Sequence, residues 1–323
     1  MSYILPFRVA TLGAAYLGLL VGACDEESRP EGKHKKSEAD AMAIDAQATT
    51  AKTELEHFSF FVTSYAAMQR LSGTPDGFGG DLRYGEKDGL SGADKICREI
   101  AESSLMGASK KTWRAFLSVA KGPNGEPVHA IDRIGDGPWY DRSGRLLAMT
   151  RDDLLHDRPM GGDPSISDDL PNEDGVPNHA PDGEQVDNHD ILTGSNDQGQ
   201  LYEGEHNATC LDWTSSNGSD GRPRVGHSWP RDFSKLMRGE GGMPPSGMMG
   251  WRPPVLPDGG IDRSKFDPSK LGAINGVSWM SSLNEAGCAA GASLAEMGPP
   301  DLDNPTVGSG GGYGGIYCFA LQP

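Results

Sequence analysis

Five cysteines in 323 residues constrain this chain more than any other feature, because an odd number cannot all pair within one molecule. Cys97, Cys210, Cys288 and Cys318 lie among segments with helix and strand patterning, whereas Cys24 stands apart at the end of an apolar leader. Arg8 is the only charge in that leader, residues 9–23 are apolar or small, and the run closes with Leu20, Val21, Gly22, Ala23 and Cys24. It is too short to span a bilayer and has the length of a signal-peptide core. Small residues followed by cysteine form the junction of a bacterial lipoprotein signal, in which the cysteine becomes the acylated first residue. Residues 1–23 are therefore assigned as a lipoprotein signal peptide and Cys24 as the lipidation site. The alternative, an ordinary signal peptide with a stray thiol, leaves the fifth cysteine without a role. Export also makes disulfides the expected state of the other four. Four cysteines allow three connectivities, and spacing alone does not separate them.

Residues 24–56 read as a flexible tether. They hold charge at Asp25, Glu26 and Glu27 and a basic cluster at 33–36, contain no aromatic residue, and offer too little apolar surface to offset the cost of ordering. Residues 39–55 do have a helix-forming composition. The folded domain is assigned to residues 57–323. At 36% hydrophobic and 7% aromatic residues, with 45 glycines and 23 prolines, it should build one modest core carrying long loops. A formal net charge of −17 argues against nucleic acid, whose binding depends on Lys and Arg neutralising phosphates. It suits a solvated surface or, among partners, a basic protein or cations.

The strongest local pattern lies in residues 90–119. Ser91 is suited to cap a helix and Asp94 to place negative charge in its first turn. Ala93, Ile96, Cys97, Ile100 and Ala101 recur at helical period. The aromatic and apolar run 112–118 then reads as a buried strand or a short turn packing on the helix. Strands are also expected at 58–64, 128–131, 138–140 and 191–194, as a pair opening at Cys210 and continuing at 224–229, and at 277–282, 287–290 and 316–321. The glycine run 308–315 reads as a flexible turn. The class is α+β.

Gly92-Ala93-Asp94 with Cys97, followed by Trp113-Arg114-Ala115-Phe116-Leu117-Ser118, resembles the endostatin domain of the C-type-lectin-like superfamily, as found in bacterial endostatin-like surface lipoproteins. Gly137 to Gly144, Leu192 to Ser195, Cys210 to Trp213, Gly287-Cys288 and Ile316 to Phe319 extend the match in the same order over residues 58–321. The resemblance implies a mixed sheet with a flanking helix, long loops and two nested disulfides, Cys97 with Cys318 and Cys210 with Cys288. Each would constrain the unfolded chain by on the order of 4 kcal/mol. It further implies a binding or adhesion module with extracellular-matrix or host serum proteins as partners. The basic surface with which endostatin binds heparin is absent here.

Two insertions fall outside that pattern. Residues 152–190 are strongly acidic, and Asp168, Asp169, Glu173, Asp174, Asp182, Asp187 and Asp190 offer the oxygen ligands that suit Ca²⁺. No EF-hand spacing is completed. His179 and His189 beside carboxylates would suit Zn²⁺ instead, and a solvated loop is the expectation without a metal. Residues 230–272 are rich in Pro, Gly and Met, an adaptable contact surface or a self-packed loop. The sequence lacks zinc-peptidase, nucleophile-elbow, phosphate-loop and dinucleotide motifs, and also the sugar-binding triplets of calcium-dependent lectins. The expected function is that of a lipid-anchored surface protein, not an enzyme, which binds extracellular or envelope proteins at the outer membrane or cell surface. A structural envelope lipoprotein and a calcium-dependent carbohydrate-binding protein are the alternatives. Cys24→Ala should release the protein from the membrane fraction and abolish incorporation of labelled fatty acid. Persistence of both would contradict the anchor.

Overall fold

The computed structural model describes residue 55 and residues 57–178, 189–229, 278–294 and 300–322, all within the unit Ala46–Pro323. The leader, Cys24, the tether up to residue 54, Asp182, Asp187 and the 230–272 insertion lie outside the described residues. The domain begins with β1 (Phe60–Val62), α1 (Tyr65–Ser72), the long helix α2 (Gly89–Ser104) and β2 (Trp113–Ala115). A two-stranded ribbon follows, β3 (Trp139–Tyr140) with β4 (Leu146–Ala148), and then the one-turn helices α3 (Arg151–Leu154) and α4 (Pro164–Ser167). The main sheet is completed by β5 (Asp190–Leu192), β6 (Arg224–His227), β7 (Leu283–Asn284) and β8 (Gly312–Ala320). The fold is mixed α+β, and two disulfides close it, Cys97–Cys318 and Cys210–Cys288.

β8 is the axis. All nine of its residues are buried. Its side chains alternate at the strand period of two. Ile316, Cys318 and Ala320 enter the core on one face of the sheet, and Tyr317 and Phe319 enter the core on the other. β1 and β2 both pair antiparallel with its second half, and β5 pairs parallel with its first half. β6 and β7 extend the sheet beyond β5 in antiparallel fashion. The glycine run expected as a turn is therefore partly strand. Gly312, Gly314 and Gly315 lie inside β8 because Asp190, Val307 and Tyr313 press on the space a side chain would occupy.

Helix α2 packs on the first face of the sheet. Its buried positions include Ala93, Ile96, Cys97, Ile100 and Ala101, the stripe that the helical period marks. Cys97 meets β8 directly through its disulfide to Cys318. The cap differs from expectation. Asp88, not Ser91, closes the N-terminus, accepting from the Ser91 N–H at 2.8 Å and the Ser91 hydroxyl at 2.9 Å. The reason is that Gly89 and Leu90 already have helical backbone, so Ser91 lies inside the first turn. Asp94 does more than face the helix dipole. It binds Arg133 through two oxygens at 2.8 and 2.9 Å, Arg114 at 2.8 Å and the Ala115 N–H at 2.9 Å, tying the helix to β2. A carboxylate so buried is tolerated because its charge is fully paired.

Several expected strands take different forms. Around 128–131 only Val128 pairs, with Val119, and Ala130–Arg133 winds into a 3₁₀ turn. Cys210–Trp213 is a left-handed turn and not a strand, with φ of 48°, 56°, 59° and 63° in succession. Non-glycine residues avoid this region at a cost of roughly 1–2 kcal/mol each. The turn is over-determined by its surroundings. Cys210 is bonded to Cys288, Trp213 Nε1 donates to Ser118 O at 2.8 Å, and Asp212 accepts from the Ala120 and Lys121 N–H groups at 2.6 and 3.2 Å. In the 277–282 stretch the described residues form bends and pairing begins only at Leu283, while in 287–290 only Ala289 bridges, to Thr306.

The loop after α2 carries a pH-sensitive contact. Glu102 accepts from the Gly107 N–H at 2.9 and 3.0 Å and from the Ser109 N–H at 2.9 Å. The Ser109 and Gly107 contacts lower its carboxyl from 4.5 to about 2. A carboxylate lowered in the folded state stabilises above its usual value and loses that contribution as pH falls through the lowered one. Glu102→Gln should therefore melt below the wild type at neutral pH. The gap in melting temperature should close between pH 4.5 and about 2. A gap independent of pH would contradict the assignment.

Candidate functional site

Two features combine chemistry with fixed geometry. The first is an open groove of about 470 Å³ beside the loop between α1 and α2, lined among others by Phe78, Asp81, Arg83, Tyr84 and Glu86. The loop is anchored to the second disulfide and the left-handed turn. The Gly80 N–H donates to Cys288 O at 2.9 Å, and the Leu82 N–H donates to Trp213 O at 3.0 Å. Gly79 and Gly80 are required there, since a side-chain carbon would stand 2.7 Å from Ala290 N at the first and 2.5 Å from Cys210 Cβ at the second. Phe78 and Tyr84 meet edge to face at 5.4 Å. Tyr84 is held at φ 45°, its hydroxyl donates to Glu99 at 2.9 Å, and the Lys95 ammonium lies 4.9 Å from its ring centroid. Arg83 forms a fork with Asp81 through contacts of 2.9 and 2.5 Å. The groove thus presents half-buried aromatic rings and charged groups on a pre-organised backbone.

The second feature is a group of ionisable residues inside the sheet. Asp190 opens β5 and stands directly opposite His227, the last residue of β6. His189 precedes it, and its carbonyl accepts from the Ser228 N–H at 2.9 Å. Asp190 Oδ1 lies 2.9 Å from His227 Nε2 and 3.4 Å from His189 Nε2, and the two imidazoles meet edge to face at 4.2 Å. Glu285, just after β7, is also fully buried. Its Oε2 accepts from Ser309 Oγ at 3.0 Å and from the Gly310 N–H at 2.9 Å. Burial and the neighbouring Asp190 carboxylate push the Glu285 carboxyl well above its ordinary range. Burial alone would raise Asp190, but His189 and His227 outweigh it and hold its carboxyl low. Burial lowers His189 and so favours its neutral imidazole.

Among the described residues, the proposed calcium ligands do not come together. Asp168 and Asp174 are exposed. Glu173 is buried against α1, where its carboxylate accepts from the Ser64 N–H at 2.8 Å and from the Ser64 hydroxyl at 2.5 Å. Burial raises its carboxyl in spite of these contacts. Asp169 is half-buried, and Asp182 and Asp187 lie outside the described residues. Among the described residues, His189, Asp190 and His227 form the one group of three potential metal ligands whose donor atoms all lie within 4.8 Å. Of the five described acids among the expected calcium ligands, only Asp190 belongs to it. The sequence carried one signal for this group. Aspartate is depleted in strands, and Asp190 begins a run, Ile191-Leu192, that could only be a buried strand. Glu285, in a loop distant in sequence, carried none. No helix among the described residues is long and apolar enough to cross a membrane. Compared with protein-family models and with curated proteins, the chain matches none.

Proposed function

We propose that the chain is a lipid-anchored surface protein whose endostatin-like domain binds another envelope or extracellular protein through the groove at Phe78, Arg83 and Tyr84. The observation that carries this reading is the groove's combination of aromatic rings and an arginine on a backbone fixed by the Cys210–Cys288 disulfide. Aromatic residues and Arg dominate binding energy at protein interfaces, and a pre-formed loop avoids much of the ordering cost of association. The ordered sequence resemblance, the two disulfides and the cysteine left at the leader junction support the same reading. With a net charge of −17, encounter with a basic partner segment is favoured and should weaken with salt.

A photo-crosslinking residue placed at Phe78 in the full chain, in intact cells, tests this directly. It should trap a discrete species containing one other protein. The same residue at the exposed Met149 should not. Adding Tyr84→Ala and Arg83→Glu to the Phe78 probe should lower the yield at least tenfold. Equal trapping at both positions, or trapping unaffected by these substitutions, would contradict the groove as the binding face.

A further inference from the structure

We infer that His189, Asp190 and His227 bind a first-row divalent cation of the zinc class, and that this ion joins the first turns of the β5–β6 pairing from within the sheet. Three observations lead there. Asp190 is fully buried, and among the described residues no hydrogen-bond donor is aligned on either of its oxygens. An ionised carboxylate is costly to bury unless it is paired, hydrogen-bonded or bound to a metal. The separations of the carboxylate from the two imidazoles also suit a shared ion, and all three donor atoms lie within 4.8 Å of one another. Bonds of about 2.0–2.1 Å arranged tetrahedrally separate neighbouring ligand atoms by roughly 3.3 Å. Asp190 Oδ1 stands 2.9 and 3.4 Å from the two imidazole nitrogens. Finally, His227 has the kind of outer partner such sites use to fix a ligand's orientation. Ser282 Oγ is 3.3 Å from His227 Nδ1, which leaves Nε2 toward Asp190.

Glu285 supplies the second oxygen of Asp190 with a neighbour. Its Oε1 has no donor aligned on it among the described residues. Gly310 leaves the space for this pair. A side-chain carbon there would stand 2.8 Å from Asp190 Oδ2 and 3.4 Å from Glu285 Oε1. Two imidazoles with one carboxylate select a transition ion over Ca²⁺ or Mg²⁺, which favour all-oxygen sets with more ligands. The site is therefore different in kind from a surface calcium loop. Its burial assigns it a structural role, closing the end of the sheet from which β5, β6 and the Glu285 loop diverge.

The full chain, extracted in detergent from cells grown with Zn²⁺ or with Co²⁺, provides the test. Elemental analysis should find one ion per chain. The Co²⁺ protein should show the visible bands of a low-coordinate site, and dialysis against millimolar Ca²⁺ should remove neither. A His189→Ala/His227→Ala variant should lose the ion. Ser282→Ala, which spares every ligand, should weaken binding by about 10–100-fold. X-ray absorption on the Co²⁺ wild type reports the ligands without any variant, and two imidazoles are expected. A wild-type protein without stoichiometric metal, displacement by Ca²⁺, fewer than two imidazoles, or binding retained by a folded double variant would each overturn the assignment.

Discussion

The domain depends on burying β8 from both sides at once. One face needs α2, tied on by Cys97–Cys318; the other needs the aromatic layer of Phe60, Phe116, Trp139, Trp279, Tyr317 and Phe319. Burying each large side chain in that layer contributes on the order of 1.5–3 kcal/mol. The disulfide spans 221 residues and so acts chiefly on the unfolded chain, by roughly 5 kcal/mol in the chain-entropy model. The strand is also the meeting line of chain segments remote in sequence. β1 reaches it from near residue 60 and β2 from near residue 114, while β5 joins from near residue 191.

The second disulfide governs a different region. Cys210–Cys288 fixes a left-handed turn of four non-glycine residues, and that turn in turn fixes the loop bearing Phe78, Arg83 and Tyr84. Backbone strain at Cys210–Trp213 is held by the indole, the Asp212 carboxylate and the sulfur bridge together. Strain that persists against such a cost marks a place whose shape the surroundings over-determine. The groove inherits its rigidity from there.

Much of this was legible in the chain, for identifiable reasons. The buried stripe on α2 follows from helical periodicity, and the strands at Phe60 and Trp113 follow from their aromatic and apolar runs. The cysteine pairing came from ordered motif resemblance, since the count leaves three choices. The failures are equally instructive. Ser91 and Asp88 both make good caps, and only the helical backbone of Gly89 and Leu90 decides between them. Gly312 to Gly315 read as a turn because glycine has no apolar signature, yet they form strand where neighbouring atoms leave no room for side chains. The acid excess pointed toward surface calcium. Instead Asp88, Asp94, Glu102, Glu173 and Asp212 accept hydrogen bonds from backbone N–H groups, and the metal-like grouping lies inside the sheet. It arises from cross-strand pairing of Asp190 with His227, a register that no local window of sequence displays.

The account rests on β8 being clasped between α2 and the aromatic layer, with the groove loop fixed separately. Non-reducing peptide mapping of the mature protein tests that arrangement most directly. It should return one peptide pair joining Cys97 to Cys318 and a second joining Cys210 to Cys288. A peptide joining Cys97 to Cys210 would place α2 against the left-handed turn instead of β8 and would contradict the fold on which the site depends.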